Sequence, residues 1–129
     1  MAFLRSGIGF GIMAGAALVV TAASAQAAGD PAKGKTVYAR CAACHDLNTG
    51  ATRLGPSMKG IIGRKAGSVA GYAYSPAMKG KGVTWNAQTL DAYLAAPAKY
   101  VPGNKMPFAG IPNPQDRADL IAYLAQATK

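Results

Sequence analysis

The chain has 129 residues, 14 Lys and Arg against five acidic residues, a formal net charge of +9, one His and two Cys. That length fits one domain, and one His with two Cys cannot close a zinc site without a carboxylate. The basic balance points to acidic partners, while the missing basic-aromatic clusters argue against nucleic acid.

The chain opens on a leader. Met1–Arg5 carries one positive charge, an apolar run spans Ile8 to Ala23, and Ala25-Gln26-Ala27 matches an A-x-A cleavage site. We read 1–27 as a cleavable secretory signal peptide and 28–129 as the mature domain; a cut after Ala25 is the near alternative. The uncharged stretch from Ser6 to Gly29 is also long enough to act as an uncleaved membrane anchor, but the small-residue exit favours cleavage. Every acidic residue is Asp (Asp30, Asp46, Asp91, Asp116, Asp119) and lies beyond the leader.

Asp30-Pro31 reads as an N-cap followed by Pro at the first helical position. It opens a helix through Tyr38, on which Gly34 and Tyr38 share a face. The helix leads into Cys41-Ala42-Ala43-Cys44-His45, a C-x-x-C-H run. Two thiols at this spacing add to the two vinyl groups of a haem, and the following His is placed as an axial ligand of the iron. A disulfide, a dithiol redox pair and a metal site are the competing readings of the two Cys. Export favours the haem reading over these three, because bacterial haem attachment takes place outside the cytoplasm. A covalently held haem also enlarges the core of a domain this small.

Asp46 to Ser57 is a loop, and Met58–Ile62 makes one turn before Gly63. Ser75-Pro76 starts a second short helix that Gly80 ends. Thr84 or Asn86 caps a third, Ala87–Ala96, with Leu90, Tyr93 and Leu94 on one stripe and Pro97 as its stop. A loop follows over Ala98–Ile111. Asn113-Pro114 opens the last helix, to about Thr128, whose apolar face is Leu120, Ile121, Tyr123 and Leu124. No segment alternates as a strand. The domain is all-α, with about four to five short helices and long loops that pack on the haem.

A six-coordinate iron needs a second donor. The single His excludes bis-His ligation within the chain, leaving Lys and Met. Met58 and Met78 sit in short turns and read as core packing. Met106 lies beyond the third helix in a loop stiffened by Pro102 and Pro107, a segment able to fold over the open haem face.

These segments together resemble the class I c-type cytochromes, the mitochondrial and bacterial photosynthetic-type branch. The likeness covers Gly29–Lys129 and runs in order through Cys41–His45, Leu54-Gly55-Pro56, Gly63-Arg64-Lys65, Gly71–Ser75, Gly82–Trp85, Tyr100–Met106 and Asp119–Leu124. The resemblance implies the cytochrome c fold around one covalently attached haem c. It implies Cys41 and Cys44 as thioether links, and His45 and Met106 as axial iron ligands. Pro56 would accept from the His45 ring, Tyr93 would donate towards the Met106 sulfur, and Arg64, Tyr74 and Trp85 would hold a buried propionate. Gly34 and Tyr38 would pack on Leu120 and Tyr123 where the first and last helices cross.

The implied role is a soluble, monomeric periplasmic electron carrier without a small-molecule substrate. It would shuttle single electrons from a cytochrome bc-type donor to a terminal oxidase or photosynthetic reaction centre, docking on acidic faces of those membrane complexes. The chain departs from the mitochondrial pattern at its docking lysines. Ala109–Pro114 carries none and Ala96–Lys99 carries one, leaving Lys35, Arg40, Lys99 and Lys105 as the candidate ring. Two other roles stay open at this level: a five-coordinate haem enzyme acting on a small molecule such as peroxide, and a subunit of a larger redox complex.

Overall fold

The computed structural model describes residues 28–129, together with Gly11, Gly15 and Ala17. The secretory leader read from the sequence lies otherwise outside the described residues. Five helices follow in order: α1 (Pro31–Tyr38), α2 (Pro76–Lys79), α3 (Ala87–Ala95), α4 (Pro97–Tyr100) and α5 (Pro114–Ala127). Among the described residues there is no strand, only an isolated antiparallel bridge between Lys65 and Thr84, and no helix is long and apolar enough to cross a membrane.

Local chemistry sets most helix starts. The Asp30 carboxylate accepts from the Ala32 and Lys33 amides, Ser75 Oγ from Met78, and Asn113 Oδ1 from Gln115 and Asp116. Each cap is followed by Pro, whose missing N–H costs nothing at the first helical position. Asn86 and Thr89 form a reciprocal capping box on α3; Thr84 contributes its carbonyl to the Thr89 hydroxyl instead of capping.

Two expectations are corrected. Pro97 does not merely stop α3. Ala96 turns extended (φ −157°, ψ 83°) and Pro97 becomes the first residue of α4, because a fixed φ near −65° suits a helix start as well as it ends the previous one. Met58–Ile62 is not a helical turn: the Ile61 and Arg64 amides reach back three residues to Met58 and Ile61, giving two successive turns and no helix, even though Ser57 Oγ accepts from the Lys59 amide at 3.1 Å as a cap would.

Helices this short are marginal alone, so packing holds them. Gly34 brings α1 onto α5. A Cβ there would overlap the Asp119 carbonyl and lie 2.7 Å from Tyr123 Cβ, so only Gly permits the crossing. Tyr38 and Tyr123 meet beside it with ring centroids 5.7 Å apart. Leu120 and Leu124 are fully buried, as is Ile111. The sequence pattern missed Asp119, which is buried on the same helix. Its carboxylate accepts from the Asp30 amide (2.8 Å) and from Gln115 Nε2 (2.9 Å), tying α5 to the cap of α1.

Candidate functional site

The residues singled out from the sequence converge on one cavity of about 430 Å³, within the size range of ligand sites. Cys41, Cys44, His45, Pro56, Arg64, Tyr74, Trp85, Tyr93 and Met106 all line it, and apolar Met58, Leu90, Leu94 and Phe108 fill the gaps between them.

The C-x-x-C-H run follows α1 directly. Its backbone coils into turns in which the Cys44 and His45 amides both donate to the Cys41 carbonyl, at 3.0 Å each. Both thiols are unpaired and face the same space as the His45 ring. Burial pushes the Cys41 thiol up, Arg40 opposes this and Cys44 adds to it. The thiol therefore stays protonated until it reacts.

His45 is held from three sides. Its Nδ1 lies 2.7 Å from the Pro56 carbonyl oxygen, which fixes the proton on Nδ1 and leaves the Nε2 lone pair free. Its own carbonyl accepts from the Tyr38 hydroxyl at 2.8 Å; burial, with the Cys41 thiol beside it, raises the Tyr38 pKa and keeps that donor protonated. Gly55 closes the third side. A Cβ there would lie 2.7 Å from Nδ1, so a side chain would push the ring out of place.

Met106 enters from the loop after α4. Asn104 Oδ1 accepts from the Met106 amide at 2.8 Å, and Asn104 Nδ2 donates to the Val101 carbonyl at 3.1 Å. An Asx turn thus aims the thioether. Sequence reasoning missed Asn104, although Asn two residues before a turning point was a usable signal. The Tyr93 hydroxyl, on α3, donates to Met106 Sδ across 3.9 Å. Burial, aided by Tyr72, pushes Tyr93 up to about 12, so it remains a donor at neutral pH.

Arg64, Tyr74 and Trp85 form the polar end. The Arg64 carbonyl accepts from the Trp85 amide (2.8 Å), the Trp85 carbonyl from Gly63 (2.7 Å) and the Val83 carbonyl from Ala66 (2.8 Å), stapling the two segments beside the Lys65–Thr84 bridge. Burial depresses the Arg64 pKa, and its guanidinium donates only to the Lys59 carbonyl, at 2.9 Å. Among the described residues the single ion pair is Arg117–Asp91, so no protein carboxylate neutralises Arg64. Tyr74 accepts from the Val69 amide at 3.1 Å and keeps its own proton to donate. The three side chains offer a cation and donors to an anion brought in by the ligand.

Met58 is buried in the core and Met78 packs against it, although both also border the cavity. Arg40 and Lys105 stand exposed at the cavity edge. Lys35 and Lys99 are exposed away from it; Lys99 borders a separate shallow notch on α3 and α4. Lys105 also latches two loops, with its ammonium on the Ala73 carbonyl and 5.3 Å from the Tyr72 ring centre. Arg53 was another omission: it donates to the Ala42 carbonyl inside the C-x-x-C-H run at 3.1 Å.

Two thiols, a ring nitrogen and a thioether on one apolar cavity, with an uncompensated cation at its polar end, fit a haem with two propionates. Comparison with known proteins points the same way. The family model described as Cytochrome c matches residues 31–128. Cytochrome c2 of Rhodomicrobium vannielii is 54% identical over 114 residues, spanning 88% of this chain and 90% of its own. Cytochrome c2 of Rhodoblastus acidophilus is 50% identical over 100 residues, spanning 77% and 94%. Among solved structures, cytochrome cH from Methylobacterium extorquens matches with a TM-score of 0.72 and 46% identity, over 75% of this chain and 98% of that one.

Proposed function

The chain belongs to the cytochrome c family, and from that premise we propose that it is a monomeric, soluble periplasmic shuttle, taking single electrons from a cytochrome bc-type complex to a terminal oxidase or photosynthetic reaction centre. Members of the family are electron carriers and not enzymes, and they hold haem c covalently. On this reading residues 1–27 are the cleaved leader that delivers 28–129 to the periplasm.

The bound haem supplies a one-electron iron(III)/iron(II) couple. Cys41 and Cys44 would anchor it through thioethers, and His45 and Met106 would bind the iron. The observation that carries the reading is the convergence of these four side chains on one cavity, with the His45 ring already fixed by Pro56 at 2.7 Å. The Pro56 bond makes the His45 nitrogen more basic and holds its orientation in both oxidation states. The Tyr93 hydroxyl withdraws density from Met106 sulfur. Arg64, Tyr74 and Trp85 would hold the inner propionate. Leu90, Leu94 and Phe108 keep water away, so little has to reorganise when the charge changes.

With His45 and Met106 both bound to it, the iron would be closed to outside molecules, which suits a carrier. Arg40 and Lys105 at the cavity edge would steer it to acidic docking faces.

The oxidised holoprotein's absorption spectrum is the test. A weak near-red iron(III)–sulfur charge-transfer band is expected, and it should vanish in Met106→Ala together with a fall in potential. A high-spin spectrum without that band in the parent chain overturns the axial assignment. Mass spectrometry of the exported protein should show a chain starting at or near Ala28 with one haem added; an intact leader overturns the cleavage.

A further inference from the structure

The loop that presents Met106 is fastened unevenly. Its near end is held by Asn104. Its far end, residues 107–112, contains two prolines without amide donors, so few ties are available there. Gly110 lies tight against α3: with φ +110°, a Cβ on it would fall 2.6 Å from the Ala95 carbonyl oxygen. The Ile111 amide donates to the Leu94 carbonyl at 2.7 Å. Arg117, on α5, makes the other ties, its Nη1 donating to the Ile111 carbonyl at 2.8 Å and the Pro112 carbonyl at 3.0 Å. Its Nε is paired with Asp91 Oδ1 of α3 at 2.7 Å, the two side chains being 12% and 36% exposed.

One guanidinium thus gathers α3, α5 and the end of the Met106 loop. Asp91 decides whether it can stay. Without that carboxylate, a guanidinium only 12% exposed would be held out of water with no counter-charge, and it would turn outward and release both carbonyls. Asp91 sits one turn from Leu94 and two residues before Tyr93, so the clamp fastens the loop to the same helix that points Tyr93 at Met106.

We propose that Asp91 and Arg117 are positioning residues that hold the Met106 loop shut over the iron and so keep outside ligands off it. The proposal rests on the assignment of Met106 as axial ligand. The test is imidazole binding to the ferric holoprotein at neutral pH, with amide hydrogen exchange at Ile111 as a second readout. Asp91→Asn should raise imidazole affinity about three- to fivefold, the range a partly exposed pair supports, and speed exchange at Ile111 more than within α1. Arg117→Lys, which keeps the charge but loses the fork, should do the same and serves if Asp91→Asn does not yield holoprotein. Thr89→Ala, which removes the α3 capping box, should lower overall stability with neither effect.

Unchanged affinity in both clamp variants, or equal shifts in Thr89→Ala, overturns the clamp. Absence of the charge-transfer band in the parent chain overturns the axial assignment and the clamp with it. A normal band with unchanged affinity overturns the clamp alone.

Discussion

The Tyr93 hydroxyl donates to Met106 Sδ across 3.9 Å, joining the last turn of α3 to the loop that follows α4. With Tyr93 pushed up to about 12 by its burial, this proton is present throughout the neutral range. On the proposed ligation, a hydrogen bond to the sulfur would make it a poorer electron donor to iron and favour the reduced state. Tyr93→Phe keeps the ring contact with Trp85, whose centroid lies 5.1 Å away, and removes only the hydroxyl. The reduction potential should fall by roughly 20–40 mV, the one-electron equivalent of about 0.5–1 kcal/mol. Redox titration of the two proteins checks this; an unchanged or higher potential refutes it.

Gly34 decides how close α1 and α5 come. The obstacle a Cβ would meet is backbone, the Asp119 carbonyl, which cannot swing aside as a flexible side chain does. Gly34→Ala should therefore destabilise the holoprotein by about 3 kcal/mol, the upper part of the usual overpacking range. Leu120→Ala on the facing helix empties a fully buried site and should cost about 2–5 kcal/mol. Urea midpoints at fixed pH measure both, and a Gly34→Ala loss under about 1 kcal/mol would mean the helices separate freely.

What the sequence made legible was local. Asp30-Pro31, Ser75-Pro76 and Asn113-Pro114 marked helix starts because cap and Pro act within four residues. The nine candidate site residues came from short motifs and family resemblance, and all nine border one cavity. Illegible were the ties made across the chain. Asp119 and the Asp30 amide are 89 positions apart and Arg117 and Asp91 are 26, and no spacing rule reaches that far. Pro97 misled for a different reason: one residue type both ends a helix and begins one, and the extended Ala96 backbone decides which.

The Asp119 tie carries a pH signature. Hydrogen bonds from the Asp30 amide, then Gln115, hold its carboxyl below the usual range against the opposing effect of burial. A group whose folded pKa is depressed adds stability above its unfolded pKa, near 3.9. That stability drains away as pH falls through the folded value. Melting temperature should therefore drop between about pH 4 and pH 2 more steeply in the parent chain than in Asp119→Asn, and the two curves should run parallel above pH 5. Parallel curves at all pH values would show that the carboxylate contributes no linkage.

Charge placement bears on docking. The five aspartates are largely spent on structure: Asp30 caps α1, Asp46 binds loop amides of Thr49 and Gly50, Asp91 pairs with Arg117, Asp119 ties two helices, and Asp116 sits in the first turn of α5. The cavity lining includes Arg40 and Lys105 and no acidic residue, so an acidic partner meets uncompensated cations there. Reduction of the ferric protein by the proposed membrane donor should slow as salt rises, because the Debye length shortens from about 30 Å at 0.01 M to 10 Å at 0.1 M. Arg40→Gln should slow the low-salt rate about two- to fivefold, while Lys99→Gln, away from the cavity, should change it less. Stopped-flow rates across ionic strength decide the matter: a larger effect at Lys99 would move the docking face towards the α3–α4 notch, and rates flat with salt would remove steering altogether.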